Sequence, residues 1–105
     1  MTVRERLPYR HKAETFDFQL GHFIFTATLG FYPDNVRVGE VFLNAGKAGT
    51  DLHAATRDAA ILLSFALQHG ATTEEVRNAL TRKEDGTADG PIGALLDVLA
   101  GEMRA

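Results

Sequence analysis

Lys47 stands between Gly46 and Gly49, just before a stretch of helical period that begins after Asp51. Glycine takes positive φ without steric cost, so this run can reverse the chain within a few residues. A helix opening near Asp51 presents unpaired backbone N–H groups and the positive end of its dipole, and Lys47 adds a full charge beside them. That is the chemistry of an anion or phosphate site. Its expected members are Asn44, Gly46, Lys47, Gly49, Thr50 and Asp51, joined by His53 and Arg57 if the helix turns them toward the loop. A plainer reading stays open, in which Thr50 or Asp51 caps the helix, Lys47 is solvated, and His53, Arg57 and Asp58 are surface residues. The run is not a nucleotide-hydrolysing P-loop. GxxxxGK[ST] needs glycine where Val41 stands and a hydroxyl residue where Ala48 stands.

Other reactive groups are sparse. No two histidines share the i, i+4 spacing of a helical zinc site, and His22 and His69 sit near a turn and a helix end. Ser64 is the sole serine and lacks the Gly-x-Ser-x-Gly surround of an elbow nucleophile. With no cysteine, the chain itself carries no thiol nucleophile, thiyl radical, disulfide relay or thiolate-bound metal. We expect no catalytic residue, no metal and no cofactor.

The elements that must position the Lys47 loop follow from periodicity. Phe16, Phe18 and Leu20 alternate with polar residues across 14–20, and Phe23, Phe25, Ala27 and Leu29 do so across 23–29, a hairpin joined at Gly21 and His22. Pro33, Asp34 and Asn35 reverse the chain again before a third strand over 36–43, where Gly39 marks a bulge. From Leu52 the period becomes helical. Ala55, Ala59, Leu62, Phe65, Ala66 and His69 are expected on one face, widened by Ile61, Leu63 and Leu67, and Gly70 stops the helix. Thr72 with Glu75 makes a capping box for a short helix to Leu80, and Gly90 and Pro91 open a last helix carrying Ile92, Leu95, Leu96, Leu99 and Met103. The expected fold is α+β: a three-stranded antiparallel meander packed on one face by a long helix and two shorter ones. On the other face, Ile24, Val41 and Leu43 are expected to leave an apolar patch suited to a partner or a homodimer.

At 105 residues the chain has room for one domain, expected over 14–105, preceded by an exposed basic arm over 1–13 that contains RERLPYRHK. The net charge of −3 disfavours general nucleic-acid binding. No apolar run approaches the ~20 residues that span a bilayer, and the absence of cysteine fits a reducing compartment, so we expect a cytoplasmic protein without membrane contact.

Several segments in order, RERLP with ETFDF, FTATLGFYPD, GEVFLNAGKAGTD, RDAAILLSFALQHGAT and GPIGALLD, give the chain a specific resemblance. It resembles the TSCPD domain, a short module at the C-terminal end of adenosylcobalamin-dependent ribonucleoside-diphosphate reductases and also found free-standing. The resemblance implies a link to deoxyribonucleotide synthesis. Reduction of the ribose needs a cysteine radical and a dithiol pair, so this cysteine-free chain cannot carry out that reaction alone. Two functions are therefore expected to compete. One is an accessory or regulatory module binding a nucleotide or other phosphorylated ligand at 44–51. The other is a module that docks on a ribonucleotide reductase or another protein, with no small ligand.

Overall fold

The computed structural model describes residues 3–45 and 51–104. Three strands, β1 (Ala13–Leu20), β2 (Phe23–Phe31) and β3 (Val38–Ala45), form an antiparallel meander in the order β1-β2-β3. Three helices follow: α1 (Asp51–Gln68), α2 (Thr73–Ala79) and α3 (Pro91–Arg104). The α+β architecture expected from the periodicities is the one found.

The hairpin turns at Gly21, whose φ of 60° is the left-handed conformation that glycine tolerates best. Its register sets Phe18 against Phe25 and Phe16 against Ala27, and the first pair stacks with ring centroids 5.5 Å apart. These side chains, with Leu29, Val41, Leu43 and Ala45, make the inner face that Ala60, Leu63, Leu67 and Leu95 cover. Thr72 caps α2 with both hydrogen bonds of the capping box, as its sequence anticipates.

One expectation about β3 is corrected. The register slips where Gly30 pairs with Glu40 and Phe31 with Val38, leaving Gly39 as the extra residue of a bulge. A one-residue insertion exchanges the faces of every later side chain. Val38 therefore packs on the core, and so do Val41 and Leu43, each 2% exposed. The outer face instead carries Phe42 and Ile24, set apart by Thr26 and Asn44, so the expected Ile24–Val41–Leu43 patch does not form.

A second correction concerns α1, whose buried residues are Thr56, Ala60, Leu63, Leu67 and Gln68. Leu63 and Leu67, expected at the margin of the apolar stripe, are buried as anticipated and Ala59 and Ala66 are half-buried, whereas Leu62 and Phe65 at its centre, with Ile61, are exposed. Polar side chains help to fix this rotation. Ser64 Oγ accepts the Val41 amide at 2.8 Å, and Gln68 Nε2 donates to the Gly39 carbonyl at 2.8 Å. Four helical residues rise ~6 Å and two strand residues ~6.6 Å, so Ser64 and Gln68 read alternate positions of the β3 edge. The α1 side chains serve that edge as a fourth strand would.

Residues 4–12 are exposed along much of their length yet tied down at several points. The Glu5 amide donates to the Gln68 carbonyl at 2.7 Å, the Tyr32 hydroxyl to the Glu5 carbonyl at 2.6 Å, and the Phe31 amide to the Lys12 carbonyl at 2.9 Å. The segment is a strap across the end of the sheet.

Candidate functional site

β3 ends at Ala45 and α1 opens at Asp51, so the expected site falls at the junction between them. Gly46, Lys47, Gly49 and Thr50 lie outside the described residues. Among their expected companions, Asn44 is exposed on the outer sheet face, paired across strands with Thr26, whose hydroxyl donates to Asp17 at 2.7 Å. Asp51 is exposed in the first turn of α1, where its charge complements the helix dipole. His53 is half-buried and Arg57 exposed. Their i, i+4 spacing puts them on one side of α1, about 160° (His53) and about 120° (Arg57) around the axis from Asp51. The helix thus brings His53 and Arg57 together and separates them from Asp51, while Asn44 belongs to a different face.

A concavity that the sequence did not reveal lies at the opposite end of α1. It measures about 520 Å³ and is floored by Leu29, Phe31, Leu67 and Leu99. Its rim is charged. Lys12 Nζ sits 5.0 Å from the Phe31 ring centroid and 3.3 Å from Glu14, and the Arg37 guanidinium lies 4.4 Å above the Tyr32 ring. Arg37 also holds Glu5 and Asp34 at 3.1 and 3.0 Å. The Val36 and Arg37 amides, then the Arg37 side chain, lower the Asp34 carboxyl to about 2. Glu5 and Asp34 raise the guanidinium's already high value. Burial, followed by the Glu5 charge, raises the Tyr32 phenol. Glu5, Lys12 and Arg37 come from the strap and the β2–β3 turn, segments whose own sequences carry only turn and charge signals. Their convergence follows from the strap's course.

The TSCPD domain family matches residues 4–104, from the strap through α3. The chain belongs to the TSCPD domain family. Over 82 residues it is 35% identical to a vitamin B12-dependent ribonucleotide reductase of Bradyrhizobium diazoefficiens (strain USDA 110). The matched stretch is 77% of this chain and 6% of that reductase. No solved structure is a significant match. The family match spans both the 44–51 junction and the residues of the strap-end cleft. Among the described residues of this TSCPD domain, no three His, Asp or Glu side chains gather to hold a metal, and no helix is long and apolar enough to cross a membrane.

Proposed function

We propose that this TSCPD domain is an accessory module of ribonucleotide-reductase chemistry, linked to deoxyribonucleotide supply, that binds a nucleotide or other phosphorylated ligand at residues 44–51. The observation that carries the reading is the junction: five residues, GKAGT, connect the end of β3 to the start of an 18-residue helix. A helix of that length offers its terminal N–H groups and dipole to an anion, and Lys47 supplies the matching charge. The relative's name supplies the nucleotide context.

Thermal unfolding of the wild type and Lys47→Ala against ribonucleotides, deoxyribonucleotides, inorganic phosphate and cobalamin tests the reading. Ligand at about a hundred times its dissociation constant adds about 2.7 kcal/mol, roughly 10–20 °C in a domain of this size. A selective rise that Lys47→Ala abolishes supports the junction. A rise that survives Lys47→Ala moves the ligand to the strap-end cleft, and no rise with any ligand overturns the reading.

A second reading, docking on a larger protein, draws on the strap. Tyr9 is fully exposed between the exposed Arg6 and Arg10, an aromatic flanked by cations on the outward side of the segment. Recovery of a reductase by the wild type and not by Tyr9→Ala would favour it.

A further inference from the structure

α1 is apolar on two opposite sides. Its inner stripe is buried on the sheet, while Ile61, Leu62 and Phe65 remain 48%, 69% and 44% exposed. At 100° per residue, Asp58 and Phe65 project almost directly away from the inner stripe, with Ile61 and Leu62 between them along the axis. Asp58, Ile61, Leu62 and Phe65 follow the i, i+3, i+4, i+7 spacing of a single helix-packing face. A contiguous exposed ridge of this kind marks an interaction surface.

We propose that this ridge is a self-association surface, on which two copies of the chain pack α1 against α1 antiparallel about a two-fold axis between Ile61 and Leu62. Charge complementarity identifies the occupant. The Arg4 guanidinium lies 4.5 Å from the Phe65 ring centroid and is fixed there by Nε donating to Gln68 Oε1 at 2.6 Å. Its terminal nitrogens and the Asp58 carboxylate have no ion-pair partner among the described residues. A two-fold axis at that point sets residue 61 against residue 62 of the second copy and residue 58 against residue 65. Each Asp58 then meets the Arg4 stacked on the other copy's Phe65. Two ion pairs flank an apolar centre, and an interface of this isologous kind closes at two subunits. The inference is independent of the ligand reading, since Lys47 takes no part in it.

Sedimentation of the 105-residue chain at low salt, from about 1 μM to about 500 μM, tests the proposal. The wild type is expected to move from monomer to dimer across that range, and Leu62→Glu to stay monomeric with unchanged circular dichroism. Asp58→Arg sets like charges together and is expected to weaken dimerisation about tenfold. Adding Arg4→Asp should restore it. A wild type that is monomeric throughout overturns the proposal. So does a dimer that survives Leu62→Glu, which Phe42→Glu would then assign to the outer sheet face. A double variant no tighter than Asp58→Arg overturns the antiparallel register.

Discussion

Arg82 meets Asp97 through two parallel hydrogen bonds, Nη1 to Oδ2 at 2.9 Å and Nη2 to Oδ1 at 2.7 Å. Arg77 adds a third contact from α2, its Nε 2.7 Å from the same Oδ1. One carboxylate on α3 thereby joins α2 and the loop that follows it. The Arg82 hydrogen bonds, opposed by desolvation and aided by Arg77, hold the Asp97 carboxyl far below the usual carboxylate range.

Asp97→Asn is therefore expected to cost about 1–2 kcal/mol, read as a fall of roughly 5–10 °C in thermal midpoint at pH 7. The wild-type contribution has a definite pH window. A group whose folded value is depressed stabilises fully above its unfolded value, about 3.9 for aspartate, and loses that contribution as pH falls below it. The difference between wild type and Asp97→Asn should narrow as the pH drops from 5 toward about 2, and a gap that stays constant would contradict the pairing.

Ser64→Ala removes the acceptor that the Val41 amide uses at the β3 edge. An amide left without a partner beside a buried side chain costs about 1–3 kcal/mol. The urea midpoint should fall with the slope and the helical circular dichroism unchanged.

Gly39→Ala should act at a distance from its own strand. An added Cβ would come 2.5 Å from the Tyr32 ring and 2.8 Å from Leu7 Cδ1, so both must shift. Overpacking of this kind costs about 1–3 kcal/mol. The strap hangs on that ring through the Tyr32 hydroxyl, so amide exchange at Glu5 should accelerate in Gly39→Ala and, to a smaller degree, in Tyr32→Phe.

Leu95 and Leu62 offer a contrast within one residue type. Leu95 is fully buried in the core, and Leu95→Ala should cost about 2–5 kcal/mol. Leu62→Ala, at an outward position, should stay within about 0.5 kcal/mol when measured at a concentration where the chain is monomeric. Equal losses would place Leu62 in the core.

Punctuation made much of this fold readable. Gly21, Gly70, the Thr72–Glu75 box and Gly90–Pro91 mark turns and caps through local chemistry, and each acts where its residue type indicates. Faces were harder to read. Ile61, Leu62 and Phe65 are as apolar as Ala60, Leu63 and Leu67, so helical period alone cannot choose which stripe meets the sheet. The polar pair Ser64 and Gln68 helps to decide it, through bonds to β3 that no spacing within α1 displays. In β3 the Gly39 bulge is legible, but strict alternation continued through it places Val41 and Leu43 on the wrong face, because the extra residue exchanges the faces beyond it. The strap and the cleft it borders depend on Glu5, Tyr32, Arg37 and Gln68 meeting across the chain. Such meetings leave no periodic trace.

Ser64 and Gln68 also bear on what the sheet can become. With one flank occupied by a helix, β1 remains the only flank among the described residues where a visiting strand finds free backbone. A sheet with a single open side can gain one strand or mate once with its twin, and growth then stops. Open-ended stacking into fibres needs a template on both sides, so two hydroxyl and amide side chains on α1 act as a terminator against runaway polymerisation.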